Sequence, residues 1–430
     1  MKPGERKFFL RNLAFYSLGD SLWGFLTNLT APSVVLVFLL YKAGASSSMI
    51  GSISAIETGG LLLPQFFGVY LFRSIARRKL QLAYWHWFVI LPFMLLMSLL
   101  TFFAGRVSPP LYRWGMLLCF AGYSITVGIA IAVWVEHFIG YVFRPEVRGT
   151  VMGLAAFGFS LAGMGGALFA GWLIERMPYP NSYGLLYLIG VVIGVVSFVF
   201  FLSVRDPQPY PPEAQTERVN LMDMIHTASA SLRSVNFRNF LIGRTLMVIG
   251  FCIIPFIAIH YASAAGGSLP ASVVVSSYAA MTFSSAIGNL ILGRLGDIHG
   301  HRLGLIIGVV VQIIALLVLL FLPGWLGCIL AYSGAGIISA AGVAPSYTLI
   351  LETCPHSKRV QHISIANFLI GVPAALAPVV AGWAAESIGL RYLFAICLVI
   401  SLAALGWLVR FFKEPRRLVE TAEDEITLPD

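Results

Sequence analysis

Three ionisable side chains sit inside long hydrophobic stretches of this chain. Asp20, Glu57 and Arg244 each interrupt such a stretch, and Asn28 follows Asp20 by eight residues, which places the two on one face of a helix. An ionisable group in lipid costs at least roughly 2.5–3.5 kcal/mol, so by default it marks a polar pathway, a proton relay or an internal ion pair. The chemistry open to Asp20 and Glu57 is proton exchange, each carboxyl being protonated in one setting and ionised in another. The plainer reading is a salt bridge to Arg244 or a hydrogen bond to a neighbouring helix. Arg244 either binds an anion or neutralises one of the acids, and its place about two turns into its stretch favours the second.

The elements that hold these groups are spanning helices. With 58% hydrophobic residues, 11% charged residues and a mean hydropathy of +0.85, the chain carries less than half the charged share of a typical soluble domain. A membrane-crossing helix needs about 20 mainly apolar residues. The sequence offers twelve such spans, at about 10–38, 47–72, 80–103, 111–140, 149–175, 183–204, 238–262, 271–293, 303–322, 325–352, 363–386 and 391–412. Placing both termini in the cytoplasm puts the great majority of the 28 Lys and Arg on that face. Only Lys42, Arg106, Arg113, Arg176 and Arg391 then face outward. The net charge of +9 is thereby explained by membrane retention, with no nucleic-acid partner implied.

Half of the chain echoes the other half. Pro145, Arg148, Gly171, Trp172 and Glu175 are answered by Pro355, Arg359, Gly382, Trp383 and Glu386, and Arg11-Asn12 opens span 1 as Arg238-Asn239 opens span 7. The division is residues 1–205 as an N-terminal six-helix bundle, 206–237 as a linker, 238–412 as a C-terminal six-helix bundle and 413–430 as a cytoplasmic tail. The linker opens with Pro207, Pro209, Pro211 and Pro212. It then places Leu221, Met224, Ile225, Ala228 and Leu232 at helical spacing, as in a helix lying on the inner membrane surface. Asp20 interrupts the first apolar stretch and no small-residue cleavage site follows, so this stretch reads as a retained span. Five cysteines without pairing or ligand spacing imply neither a disulfide framework nor a metal site.

Between spans 8 and 9 stands Gly293-Arg294-Leu295-Gly296-Asp297-Ile298-His299-Gly300-His301-Arg302. With six spans, a linker and six more, this loop resembles the major facilitator superfamily, whose loop motif Gly-x-Leu-x-Asp-x-x-Gly-x-Arg is met at Gly293, Leu295, Asp297, Gly300 and Arg302. The glycines suit a tight turn, Asp297 is expected to accept from helix N-terminal amides, and Arg302 to hold an acidic group or lipid phosphate. The resemblance implies an all-α fold of two pseudo-symmetric six-helix bundles and a loop that acts as a conformational latch. The first-half loop departs from the pattern, with Phe72 in the place of Asp297 and Ile75 in the place of Gly300, while Arg77 matches Arg302. Marks of the drug/proton antiporter branch are absent: Ala121-Gly122-Tyr123-Ser124 has no mid-span Arg, and Gly163-Met164-Gly165-Gly166 lacks a Gly-Pro.

Function follows from duplicated halves, which rock about a site at mid-membrane. The expectation is a monomeric secondary active transporter in a bacterial-type cytoplasmic membrane. It would move a small organic solute with protons or another coupling ion and no cofactor, with Asp20, Glu57, Asn28 and Arg244 at the cavity. Export of a hydrophobic or amphipathic compound is favoured over proton-coupled nutrient uptake, and a transporter-like sensor is the third reading. Glu136, Arg148 and Arg359 are expected at the inner gate. His86, flanked by Trp85 and Trp87, reads as an interfacial anchor. Pro255, Pro373 and Pro378 either open bends in spans 7 and 11 or serve as fixed packing features. An enzyme is not indicated: the chain holds neither a phosphate-binding Gly-rich loop nor a nucleophile or metal constellation.

Overall fold

The computed structural model describes residues 3–72, 74–207, 232–353 and 359–415. Most of the linker helix, including Leu221, Met224, Ile225 and Ala228, lies outside the described residues, as do Cys354 and residues 416–430. Among the described residues eleven helical runs are long and apolar enough to cross a membrane. Span 2 completes the twelve in two pieces, Ser47–Leu62 and Gln65–Leu71, split at Leu63 and Pro64. The cause is local. Pro64 has no N–H to give to the Gly60 carbonyl, and its ring crowds that turn. The Gly60 carbonyl lies instead against Gly128 of the helix Pro109–Val135 (span 4), where a Cβ would not fit.

Span 1 runs as Pro3–Leu29, a wide π turn at Pro32–Leu36, and Val37–Lys42. Span 3 is Ile75–Trp85, a π turn at His86–Ile90 and Leu91–Phe102. That π turn precedes Pro92, which cannot donate to the carbonyl of Phe88, so the helix widens one turn earlier. Spans 5 and 6 are Pro145–Arg176 and Asn181–Ser203. In the second half, span 7 is Val235–Gly250 and Ile254–Ala262, broken just before Pro255 as the sequence suggests. Spans 8 to 12 are Ala271–His299, His301–Phe321, Gly324–Glu352, Arg359–Ile388 and Leu390–Arg410. Span 11 passes Pro373 and Pro378 as one helix, so these prolines do not divide it.

Spans 1–6 form one bundle and spans 7–12 the other, and the two share a packing plan. Spans 2 and 4 approach closely at Gly60 and Gly128; spans 8 and 10 do so at Gly288 and Gly336. Helices surrounded by lipid gain little from hydrophobic exclusion, so small residues that let backbones touch carry the association. The paired Asn residues have matching tasks. Asn12 donates to the Arg205 carbonyl at 2.8 Å and accepts from the Arg205 amide at 2.9 Å, and Asn239 donates to the Phe411 carbonyl at 2.9 Å. Each ties the start of one half to that half's exit.

The bundles meet along spans 5 and 8 and along spans 2 and 11, toward the ends remote from the chain termini. The repeated Ala-Gly-Trp units supply both contacts. Gly171 of span 5 abuts Ser272 and Ser276 of span 8, and Gly382 of span 11 abuts Ser47 and Ser48 of span 2. Neither glycine has room for a side chain. Gly51 of span 2 likewise presses on the Pro378 backbone. On this face the Glu386 carboxylate accepts from the Ser48 amide at 2.7 Å, capping the start of span 2 from the opposite bundle.

Candidate functional site

Spans 1 to 6 and span 8 enclose a cavity of about 510 Å³. Asp20 and Asn28 reach it from span 1, Glu57 from span 2, His86 from the π turn of span 3 and Tyr278 with Thr282 from span 8. The helical spacing expected for Asp20 and Asn28 brings both to its wall. Neither Asp20 nor Glu57 accepts a hydrogen bond or pairs with a cation among the described residues. Both are half-buried in the cavity wall. Tyr123 of span 4 and Tyr278 of span 8 lie within electrostatic range of Glu57, which therefore stands between the bundles.

Asn28 links the halves directly. Its amide donates to the Gly24 carbonyl at 2.9 Å, and its carbonyl accepts from the Thr282 hydroxyl at 2.8 Å. Ser33 donates to the Tyr278 hydroxyl at 3.4 Å nearby. Gly163 of span 5 packs on the Asn28 amide, leaving the side chain one orientation.

His86 corrects an expectation. Its tryptophan neighbours suggest an interfacial anchor, yet the ring is buried and lines the cavity. Its Nδ1 donates to the Leu82 carbonyl at 2.7 Å, its face stacks on Phe198 at 3.8 Å between centroids, and Trp23 meets it edge-on at 5.5 Å. Of the flanking pair, Trp85 also turns inward, donating to the Thr126 carbonyl. The missed signal is Pro92, whose π turn rotates His86 toward the bundle. Tyr123, Tyr278 and Thr282 also escape the sequence reading, because hydroxyl residues in apolar helices are common.

Arg244 lies elsewhere. It does not line the cavity and pairs with neither acid; its guanidinium donates to the Ser346 hydroxyl at 3.1 Å and the Gly342 carbonyl at 3.4 Å, tying span 7 to span 10. Glu136, expected at an inner gate, pairs with Arg78 at 3.3 Å inside its own bundle. The side chains of Arg148 and Arg359 are outside the described residues, although both positions fall in the first turns of spans 5 and 11.

The loop motif is rearranged relative to expectation. Gly300 takes a φ of +92°, open in practice only to glycine, between spans 8 and 9. Gly293 is not part of a tight turn; it lies within span 8 with open space beside it, and Leu295 is half-buried. Asp297 is exposed and 3.7 Å from His301 Nε2. The carboxylate that accepts from the start of span 9 is Glu414, which receives the Arg302 amide at 2.9 Å. Arg302 caps span 12, donating to the Leu408 carbonyl at 3.2 Å and the Val409 carbonyl at 2.7 Å. In the other half Lys79 performs that task, donating to the Val204 carbonyl at 2.6 Å and lying 3.6 Å from Asp206. The exit acids Asp206 and Glu414 thus correspond, although only the second half keeps the loop sequence.

Two helical bundles with matching packing thus enclose a cavity walled mainly by the first. Residues 240–429 match the family model of the Major Facilitator Superfamily, and solved structures of similar fold align with 94–95% of the chain. A mutant of the nucleoside transporter NupG superposes with a TM-score of 0.69 at 12% identity, covering 94% of this chain and 100% of that one. The inward-open xylose transporter XylE from E. coli gives 0.66 at 14%, covering 94% and 96%. An inward-facing, unoccupied bacterial homolog of the human lysosomal transporter Spinster gives 0.60 at 16%, covering 95% and 97%. No curated protein sequence matches the chain.

Proposed function

We propose that the protein is a secondary active transporter that carries a small organic solute by alternating access, coupled to protons at Asp20 and Glu57. The observation that carries this reading is a cavity at the bundle interface walled by two carboxylates that have no hydrogen-bond or ion-pair partner among the described residues. An unsatisfied carboxylate in a membrane interior is stable only if it meets water, a proton or a bound partner. One that meets them by turns, as the bundles rock, couples their movement. The Lys and Arg distribution supports a topology with both termini in the cytoplasm. The close contacts at Gly171, Gly382 and Glu386 then shut the outer face, and the state is inward-facing.

In this reading residues 1–205 and 238–412 are the moving bodies, acting as a monomer, and Asn28–Thr282 is a hinge-side contact between them. Within the loop motif Gly300 and Arg302, with Glu414, hold the inner ends of spans 8, 9 and 12 together. Glu136, Arg148 and Arg359 sit near the inner mouth, where they meet partners when that face closes. Arg244 stiffens the second bundle. Proton exchange with outward movement of the solute is the direction favoured by an aromatic cavity.

The test is a cross-link across the outer contact. Ser48→Cys with Glu386→Cys, oxidised in proteoliposomes, is expected to abolish pH-driven solute movement, and reduction to restore it. The solute comes from a thermal-shift panel at pH 6 and pH 8, where a ligand at a hundred times its Kd stabilises by about 2.7 kcal/mol. Transport unaffected by the cross-link overturns alternating access through this interface.

A further inference from the structure

We propose that the cargo is a monovalent lipophilic organic cation, a quaternary or protonated centre carried on an aromatic body. The proposal rests on the transporter reading above and names the solute for its cavity. Charge is the first argument. Among the described residues Asp20 and Glu57 both face the cavity without a partner, and no Lys or Arg lines it. Arg244, the half-buried basic residue of span 7, is held by Ser346 and Gly342 in the other bundle. An anionic solute would enter a cavity with two carboxyl groups and no counter-charge, whereas a cation supplies what the carboxylates lack.

The wall between the acids is the second argument. Trp23, Tyr123, Trp134, Phe159 and Phe198 line the same space. Their ring faces carry the negative end of the aromatic quadrupole and attract a weakly hydrated cation, with greater strength when water is excluded. A strongly hydrated inorganic ion gains little from such a surface. A neutral solute brings no charge to the two carboxyl groups. Asn28, the amide on the wall, has both ends engaged by Gly24 and Thr282, and the His86 Nδ1 is taken by Leu82. The volume of about 510 Å³ falls in the range that encloses a drug-sized molecule.

Methyltriphenylphosphonium and triphenylphosphine oxide separate charge from shape, since the two differ by a methyl for an oxygen and by one positive charge. Binding of each to the purified full-length protein in detergent is measured by titration calorimetry. The phosphonium is expected to bind at least about tenfold more tightly than the oxide. In Asp20→Asn/Glu57→Gln the preference is expected to vanish, with the oxide's affinity unchanged. Equal affinity for the two in the native protein overturns the proposal. So does binding of neither, or a phosphonium preference that survives in the double variant. The native protein alone gives the first two outcomes, so a variant that fails to fold does not protect the idea. Phosphonium preference without any pH-driven movement in proteoliposomes removes the transporter reading and leaves a cation site. Movement of neutral solutes with no phosphonium preference does the reverse.

Discussion

The two bundles share a scaffold and divide the work. The first supplies Asp20, Asn28, Glu57 and His86 to the cavity, while the second contributes span 8 with Tyr278 and Thr282 and keeps its own half-buried cation, Arg244, turned away. At the inner face the balance reverses. The second bundle retains the complete loop sequence, with Gly300 at a φ of +92° under Glu414, and the first achieves the same capping with Lys79 and Asp206 on a different sequence. Duplicated halves keep the packing that any such bundle needs, and each is free to lose what only one copy must perform. The loop is the clearest case: what persists in both halves is a cation on the exit carbonyls and an acid beside it.

The largest expected effect comes from setting the two halves' buried charges against each other. Glu57→Gln should abolish the pH dependence of transport, whereas Arg244→Met should leave pH dependence in place and lower thermal stability through loss of the span 7 to span 10 tie. Transport assays at pH 6 and pH 8 beside melting curves read both. Normal pH-driven transport in Glu57→Gln removes that residue from the mechanism, and loss of solute binding in Arg244→Met breaks the division of labour.

Next in size is overpacking at the paired glycines. Gly171→Leu and Gly382→Leu should each disfavour the closed outer face by about 1–3 kcal/mol. Labelling of a single outer cysteine should rise in both. Unequal responses would show that one seam, spans 5 and 8 or spans 2 and 11, dominates closure. Gly300→Ala forces a side chain into a conformation that costs about 1–3 kcal/mol and into the space of Glu414, so its melting temperature should fall. Ile75→Gly at the matching first-half position should not raise it.

The smallest effect sharpens the repeat. Glu386 accepts from Ser48, while Glu175 is exposed and has no such bond among the described residues. Glu386→Gln should shift outer-cysteine labelling by the equivalent of about 0.5–1.5 kcal/mol, and Glu175→Gln should not. Equal shifts would mean that the exposed copy also holds the outer face.

Much of this was written in the chain. Hydropathy indicated twelve spans, because continuous apolar runs of about 20 residues satisfy their backbone groups in lipid as helices. The internal echo marked the two halves, and the two acids stood out because lipid does not tolerate them idly. Span 2 shows where that legibility stops: its apolar run is continuous, and only the clash of Pro64 with its own preceding turn divides it. His86 is a second case, since flanking tryptophans look alike at a membrane surface and inside a bundle.

The sequence by itself determined the fold, the pairing of the halves and the identity of the two carboxylates, because each depends on which residues lipid accepts along one helix. Tertiary structure decided what those residues meet. It turned Arg244 to Ser346, gave the start of span 9 to Glu414 in place of Asp297, and set the repeated glycines against the opposite bundle. Such choices rest on contacts between residues far apart in the chain, and no local spacing encodes which of several acids or carbonyls lies within reach.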